Sequence, residues 1–303
     1  MLVATVLALP SLLAFLGGWS GPLDLLAHFR LHYALLSAIT ITAALMLRRW
    51  RPATVAATLS FPNALALGAA WLGPLPQPDA EADLSVVALN VLTSNRDYDR
   101  SVRNLLESGA DVLVLQEIDA AWLGALSPLN ERYPHRWEAP RPDNFGIAVY
   151  SRVPATDGRV IGVGTRDLPV VVATLETARG PVDLVAVHTV PPVNDSYRAE
   201  QMAQAKDVAA LVRASEHPMI VAGDLNATPW GRLFRALLDG TDLRRSNTLG
   251  LHATWPAGLG ALGIPLDHAL HTPGLEPLTY EAGPDVGSDH RPVLVRYHLT
   301  GSR

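Results

Sequence analysis

From residue 84 onward the sequence consists of short apolar runs that end on polar residues. The clearest runs are LSVVALNVL, DVLVLQE, FGIAVYSR, VVVATLET, PVDLVAVHT and PMIVAGDLN. Runs of this length, rich in β-branched residues and bounded by turn residues, are typical of buried strands. Helical spacing occurs in DRSVRNLLESG, which Gly109 closes, and in SYRAEQMAQAKDVAALVRAS. So many strands with so few intervening helices favour a four-layer α/β sandwich, in which helices flank two mixed β-sheets, over a simple doubly wound sheet.

The first 76 residues have a different composition. Their only Asp, Glu, Lys or Arg residues are Asp24, Arg30, Arg48, Arg49 and Arg51. The charge-free stretches 1–23, 31–47 and 52–78 are each near the ~20 residues that a helix needs to cross ~30 Å of hydrocarbon. We therefore expect about three transmembrane helices. A cleaved signal peptide is the alternative for the first stretch, which lacks a basic start, and a buried hairpin of a soluble protein is the alternative for the whole segment.

The basic run RRWR at 48–51 sets the expected orientation. A short loop this rich in arginine is cytoplasmic by the positive-inside rule. The 21–30 loop and everything after the third span then lie outside the cytoplasm. The Pro-rich acidic stretch GPLPQPDAEAD at 73–83 reads as a stiff linker that holds a domain away from the membrane. We divide the chain into a transmembrane region at 1–76, a linker at 77–83 and a catalytic domain at 84–303.

Six apolar runs bring a carboxylate, an amide or an imidazole to a strand end. One such residue is usually a turn cap. Six of them indicate a cleft where strand ends converge. The residues are Asn90, Glu117, His188, Asp224 with Asn226, Asp267, and Asp289 with His290.

The residue types in this set suit phosphate ester hydrolysis. The chain has no cysteine, and oxygen donors without thiolates favour Mg²⁺ or Mn²⁺, with Glu117 and the neighbouring Asn90 as candidate ligands. Such a metal polarises a phosphoryl oxygen. Asp224 could orient or deprotonate the attacking water. An imidazole at His188 or His290 could donate to the phosphate, and a carboxylate such as Asp267 would keep it charged.

These motifs, in this order, resemble the endonuclease/exonuclease/phosphatase (DNase I-like) superfamily over residues 84–299. The resemblance rests on Asn90, the LQE motif ending at Glu117, His188, the GDLN motif, Asp267 and the closing SDH motif. It implies that Asn90, Glu117 and Asp289 bind the metal. It also implies catalytic roles, with phosphate contact by His188, water activation by Asp224 beside Asn226, and a His290–Asp267 pair. The HTVPP, NATPW and ATWP segments and the apolar N-terminus resemble a membrane-anchored bacterial branch.

The leading hypothesis is a multi-pass protein of the bacterial cytoplasmic membrane. Its extracytoplasmic domain would hydrolyse a lipid-linked or head-group phosphate ester. The alternative is an extracytoplasmic metal-dependent nuclease. The 20 basic and 28 acidic residues of 77–303, with Lys206 the single lysine, disfavour it. A catalytically inactive binding module for envelope lipids is a third reading. The sequence implies no protein partner.

Several other residues invite a functional role. His268 and His271, three apart, suggest zinc, but a strand would direct them to opposite faces. Arg198 is the best arginine candidate for contacting phosphate. Trp230 and Trp255 could line a lipid-facing cleft, although aromatic residues beside proline are more often packed in a core.

Overall fold

The strands of this protein pair into two mixed six-stranded sheets. The structure is a computed structural model that describes residues 9–17 and 19–301. Its strands are β1 (Leu84–Asn90), β2 (Val112–Gln116), β3 (His135–Ala139), β4 (Ile147–Ser151), β5 (Ala155–Val163), β6 (Leu168–Thr177), β7 (Gly180–His188), β8 (Met219–Asp224), β9 (Arg244–Arg245), β10 (Asp267–His271), β11 (Leu275–Ala282) and β12 (Val293–Leu299). Its α-helices are α1 (Gly21–Ala27), α2 (Arg30–Met46), α3 (Trp50–Trp71), α4 (Tyr98–Ser108), α5 (Ala120–Ala125), α6 (Asp195–Ala214) and α7 (Arg232–Leu238). Short 3₁₀ turns lie at Ala14–Leu16, Ser127–Leu129 and Ala257–Leu262.

The predicted sandwich is confirmed. The first sheet has the strand order β11-β12-β1-β2-β4-β3, and the second has the order β5-β6-β7-β8-β10-β9. One apolar core lies between the sheets, because alternate strand residues such as Val86, Val114, Leu184 and Ile220 meet there. Helices α4 and α5 pack on the outer face of the first sheet, and α6 and α7 pack on that of the second. The result is four layers.

The predicted helices of this region also form. Helix α4 ends at Gly109, whose φ of 62° is the left-handed conformation that glycine adopts at little cost. Helix α6 begins after Asn194, whose side chain accepts a hydrogen bond from the Tyr197 backbone N–H. Each helix therefore begins or ends where a local capping signal lies in the sequence.

The prediction of three transmembrane helices is wrong in number. Within the described residues, one helix, α3, is long and apolar enough to cross a membrane. A second candidate arises only if α1 and α2, which meet at a 58° bend, count as one span. The first predicted span, 1–23, falls partly on residues 1–8 and 18, outside the described residues. Its described part is broken, because helical turns end at Leu16 and a new helix starts at Gly21.

Helix α1 lies on the catalytic part instead of forming a free loop. Its first N–H, at Gly21, donates to Asp195 Oδ1 at 2.7 Å, at the start of α6. At its other end, the Ala27 carbonyl accepts a hydrogen bond from Trp230 Nε1. A side chain cannot replace Gly21, since a Cβ there would lie 2.5 Å from the Asn194 carbonyl oxygen. These contacts hold α1 against the strand-end rim of the second sheet.

The linker is likewise attached to the sandwich and does not act as a free spacer. The Pro74 carbonyl accepts from Leu249 N at 2.9 Å, and Gln77 N donates to the Leu278 carbonyl at 2.7 Å. Asp83 Oδ1 accepts a hydrogen bond from Arg179 Nε at 2.7 Å. The stretch after α3 therefore runs along the domain surface, and its role in holding the domain away from the membrane stays a prediction.

Candidate active site

Pairing between strands brings the predicted site residues to one rim of the sandwich. In the second sheet, Asp224 at the end of β8 is the register partner of His188 on β7 and of Asp267 on β10. In the first sheet, Asn90 pairs with Gln116, the residue before Glu117. Parallel strands end at the same edge, so residues far apart in the chain converge there.

An amide bridges the two sheets at the centre of this rim. Asn90 Nδ2 donates to Glu117 Oε1 and to Asp224 Oδ2, each at 3.0 Å. Asn90 Oδ1 accepts the Leu92 backbone N–H at 3.0 Å. Asn90, Glu117 and Asp224 are all buried. The bridging amide offsets the repulsion between two buried carboxylates, and it fixes the spacing of the two sheets at the site.

The backbone around these carboxylates is unusual. Glu117 has a φ of 64° and Asn226 a φ of 44°, a region that costs residues other than glycine roughly 1–3 kcal/mol. Gly223 precedes Asp224 with a φ of 144°, and a Cβ there would lie 1.9 Å from the Val187 carbonyl oxygen. The glycine of the GDLN motif is thus required for β7 to approach β8 closely, next to the carboxylate that it positions.

His290 and Asp267 form a buried charged pair. His290 Nδ1 lies 2.8 Å from Asp267 Oδ2, and its Nε2 lies 3.7 Å from Asp224 Oδ2. Burial alone lowers the pKa of His290, but the carboxylates of Asp267, Asp224 and Asp289 outweigh it and raise the pKa to about 10. The imidazolium is therefore the form present at neutral pH, with a proton on Nε2 directed towards Asp224.

His188 occupies the other side of Asp224. Its Nε2 lies 3.5 Å from Asp224 Oδ2 and 3.2 Å from Asn226 Nδ2. The Asn226 amide also donates to the Thr189 carbonyl at 2.8 Å, and its backbone N–H donates to Asp224 Oδ1 at 2.8 Å. Asp224 therefore lies between two imidazoles, with the carboxamide of its own motif holding it in place.

Asp289 faces the same cavity from the loop before β12. Its Oδ2 accepts the indole N–H of Trp255 at 2.9 Å, while Oδ1 is buried with no hydrogen-bond partner among the described residues. Ser288, beside it, donates from Oγ to the Asn90 carbonyl at 2.7 Å and accepts the His290 backbone N–H at 3.0 Å. This hydroxyl ties the SDH loop to β1, which sets the position of His290.

The sequence of residues 87–290 matches the Endonuclease/Exonuclease/phosphatase family. This chain belongs to that family. Every residue of the cluster just described lies within the matched segment, whereas α1, α2 and α3 lie outside it. A search of curated proteins finds no match. Family membership makes the chain a phosphoesterase or nuclease type of hydrolase.

Solved structures share this fold at low sequence identity. An endonuclease/exonuclease/phosphatase from Beutenbergia cavernae is 20% identical with a TM-score of 0.59, and the alignment covers 73% of each chain. A 3′ phosphatase from Neisseria, bound to a product DNA hairpin, is 20% identical with a TM-score of 0.57, covering 71% of this chain and 100% of its own. A mannosyl-6-phosphatase from Bacteroides thetaiotaomicron is 15% identical with a TM-score of 0.56, with the same coverage. These likenesses establish the sandwich fold.

The donor set of this family member suits a hard divalent cation. The carboxylates of Asp224 and Asp267 lie within 4.8 Å of each other and of His290, whose protonated ring leaves the two carboxylates as the available ligands of this group. Asp267 Oδ1 and Asp289 Oδ1 are buried acceptors without a donor among the described residues. Such a surplus of oxygen acceptors is what Mg²⁺ or Mn²⁺ satisfies.

The predicted ligand set differs from this group. The structure places Asn90, Glu117 and Asp289 at the same cavity, and their role as metal ligands stays a prediction. Asn90 directs its N–H₂ group, not its amide oxygen, towards the carboxylates. Among the three, the free acceptor at Asp289 and the carboxylate of Glu117 are the atoms able to receive a cation in this arrangement.

The cluster opens into a cavity of about 720 Å³ that apolar side chains also line, and we call these the apolar wall. Half-buried Leu25, near the end of α1, and Phe29, two residues after α1, form part of this wall beside His28. Val193, Ile264 and Leu266 extend the wall from the catalytic part. Among the described residues, no arginine or lysine lines the cavity.

Sequence reasoning missed the wall and several supporting contacts. Thr93 donates to Glu117 from its backbone N–H at 2.9 Å and from its hydroxyl at 3.2 Å. Phe145 packs on His188 with ring centroids 5.4 Å apart. No local pattern signals these roles.

The other candidates separate clearly. His268 and His271 lie on opposite faces of β10, where His268 Nε2 is 2.9 Å from the Ala227 carbonyl oxygen and His271 Nδ1 is 2.9 Å from Ser246 Oγ. Arg198 does not line the catalytic cavity. Trp255 lines the catalytic cavity and donates a hydrogen bond to Asp289. Trp230 lines a different cavity.

Proposed function

We propose that this chain is a divalent-metal-dependent phosphoesterase acting on a lipid-linked phosphate ester, or on a phosphate head group, at a membrane surface. The observation that carries the proposal is the mixed lining of the catalytic cavity. Asp224 between two imidazoles lines it together with apolar side chains, to which α1 contributes. An amphipathic substrate matches this lining, with its phosphate at the carboxylates and its hydrocarbon along the apolar side chains.

The polar residues of this lining have complementary tasks. Asp224, the acceptor at the centre, orients the attacking water and takes its proton. His290, kept cationic by Asp267, donates from Nε2 to a phosphate oxygen. His188 and Asn226 hold the phosphate on the other side of Asp224. A divalent cation held by Glu117 and Asp289 would supply further charge stabilisation of the phosphoryl group.

The α2–α3 hairpin is the proposed membrane anchor. These helices have 17 and 22 residues, or about 26 and 33 Å at ~1.5 Å per residue. Large apolar side chains point outward from them, including Ile39 at 66% exposure, Met46 at 80% and Phe61 at 62%. An exposed apolar surface of this kind marks a contact with membrane or protein. With Arg48–Arg51 at the far turn, the positive-inside rule supports the proposal that the catalytic domain lies on the outer face of the bacterial cytoplasmic membrane.

Nucleic acid is the second candidate substrate. The fold is shared with a phosphatase whose structure contains DNA. Phosphate backbones are bound mainly by arginine and lysine, and none lines this cavity among the described residues. We therefore rank a nuclease below a lipid phosphoesterase. A catalytically inactive binding module ranks lower still, since acid, base and imidazole positions are all filled by competent residues.

The test is a phosphate-release screen of the full chain in detergent micelles with Mg²⁺. The substrates are a polyprenyl phosphate, a phospholipid, a water-soluble aryl phosphate and a DNA oligonucleotide. We expect turnover of a lipid substrate that stops on addition of EDTA. Turnover of the DNA alone would overturn the substrate class while leaving the family unaffected.

The apolar wall is tested by Leu25→Ser, with Leu75→Ser on the exposed linker as the matched control. We expect Leu25→Ser to lower kcat/KM for the lipid substrate about tenfold, because a buried leucine side chain contributes roughly 1.5–3 kcal/mol. Turnover of the aryl phosphate should stay within twofold. Equal losses on both substrates would show that α1 supports folding of the site and does not contact the substrate.

A further inference from the structure

A second cavity, of about 400 Å³, lies where the helical hairpin meets the catalytic part. Arg30 from α2, Arg235 from α7 and Arg245 from β9 line it, together with Trp230 and small or apolar residues of the N-terminal segment. Arg30 directly follows Phe29, so consecutive residues line two different cavities. Three guanidinium groups around one cavity form an unusual concentration of positive charge in a chain whose net charge is −5.

Arg30 is fixed and desolvated. It is 3% exposed, and its Nη1 donates to Asn63 Oδ1 at 3.1 Å. Asn63 is itself buried on α3, and its Nδ2 returns a bond to the Arg30 carbonyl at 2.8 Å. The guanidinium carbon lies 3.9 Å from the centroid of the Phe15 ring. Its Nε–H is buried without a hydrogen-bond partner among the described residues.

The guanidinium group of Arg245 also has a buried N–H without a hydrogen-bond partner among the described residues. Its Nη1 donates to the Ala70 carbonyl at 2.9 Å, in the last turn of α3, and its Nε is buried without a partner in the described chain. Burial lowers the pKa of Arg245 from its usual value. One donor of each arginine thus serves the fold, one is buried without a partner, and both side chains line the cavity.

The structure does not balance these charges internally. Across residues 9–17 and 19–301, no carboxylate lies within ion-pair distance of Arg30, Arg235 or Arg245. Burial raises the pKa of Asp24, and the positive charge of Arg235 acts to lower it, as do the charges of Arg198 and Arg232. Asp24 does not line the cavity. Arg30 and Arg245 are the desolvated cations of the three, and a desolvated cation without a counter-charge is costly. An anion in the cavity would remove that cost.

The chemistry of that anion follows from the donors. Guanidinium groups present planar N–H pairs that match phosphate oxygens. The surrounding alanines of α3, Phe15 and Trp230 would accommodate hydrocarbon next to the phosphate, and tryptophan is common where apolar and polar phases meet. We propose that Arg30, Arg235 and Arg245 form a binding site, separate from the catalytic cavity, for a phosphate group at the junction of the hairpin and the catalytic part.

The site is tested by binding, without turnover, so its outcome is independent of the proposed function. The full chain in neutral detergent is titrated with dioctanoyl phosphatidylglycerol, dioctanoyl phosphatidylcholine and inorganic phosphate, and binding is followed by calorimetry. Saturable binding of phosphatidylglycerol alone identifies a lipid head group, and saturable binding of inorganic phosphate as well identifies free phosphate as the ligand. Absence of saturable binding to all three would overturn the proposal.

Variants assign the binding to this cavity. We expect Arg235→Gln and Arg245→Gln each to weaken binding about tenfold or more, since a hydrogen bond to a charged group contributes roughly 1.5–3 kcal/mol. Arg213→Gln, an exposed arginine on α6 that loses the same charge, should change binding less than twofold. Arg235 is exposed, so its variant tests the site even if Arg245→Gln fails to fold. Equal affinity in wild type and Arg235→Gln, or equal losses in Arg213→Gln, would contradict the assignment.

Discussion

The two cavities of this protein are lined by charged groups of opposite sign, with carboxylates in excess at one and arginines at the other. In the catalytic cavity carboxylates are in excess, because His290 pairs with Asp267 while Glu117, Asp224 and Asp289 lie at the same cavity. In the arginine cavity, no described carboxylate is within ion-pair distance of the three guanidinium groups. An excess of carboxylates suits a divalent cation. Charges that the fold leaves unbalanced are available to a ligand.

The largest effect should come from removing the central acceptor. Asp224→Asn keeps the shape of the side chain but removes the base between His188 and His290. We expect kcat to fall by roughly 10²- to 10⁴-fold, the range of general acid–base contributions. The measurement is phosphate release at saturating substrate. Asp285→Asn is the control, since this exposed carboxylate forms an ion pair with Arg100 and accepts the Gly287 backbone N–H. A loss there comparable with that of Asp224→Asn would contradict the role.

The coupling between His290 and Asp267 is measured by a double-mutant cycle. We expect Asp267→Asn and His290→Asn each to lower kcat about 100-fold, and the double variant to be little worse than either, because residues that act as a unit are not additive. Steady-state kinetics of the four proteins gives the coupling. Strictly multiplicative losses would mean that Asp267 does not act through His290.

Neighbouring residues separate the two cavities most sharply. Phe29→Ser should lower turnover of a lipid substrate about tenfold, by loss of apolar contact, and leave anion binding unchanged. Arg30→Gln should weaken anion binding about tenfold and leave turnover of a soluble aryl phosphate unchanged. Calorimetry gives the anion affinity of each variant, and kinetics gives the turnover of the lipid and aryl phosphate substrates by each. A joint loss of both properties in either variant would show that the cavities are one site.

Buried neutral imidazoles give a smaller effect, on stability. Burial lowers the pKa of His268 to about 3. Between its ordinary pKa of ~6.5 and about 3, the unfolded chain binds this proton and the folded chain does not. The free energy of unfolding therefore falls as the pH drops through this window, by at most about 1.4 kcal/mol per unit. Denaturant unfolding at several pH values measures the slope.

His268→Gln should flatten that slope, since glutamine keeps an N–H donor for the Ala227 carbonyl but does not titrate. His135→Gln, on the edge strand β3, is the matched control. An unchanged slope in His268→Gln would mean that His268 is not the group whose protonation destabilises the fold in acid.

Local sequence patterns determined the sandwich and its polar rim. Short apolar runs bounded by turn residues, and helices with capping residues, depend on neighbours in the chain, so β1, β8, α4 and α6 could be located without coordinates. The order of motifs from Asn90 to His290 then fixed which residues meet, because parallel strands place their ends at one edge.

Only the tertiary structure decided what lies over that rim and beside it. The segment 21–30 reads as an external loop between two spans, yet it packs on α6 and on the loop that carries Trp230, lining one cavity with Phe29 and another with Arg30. The direction of the Asn90 amide depends on Glu117 and Asp224, which lie 27 and 134 residues away. Composition records how apolar a segment is, but contacts between distant residues determine what that segment covers.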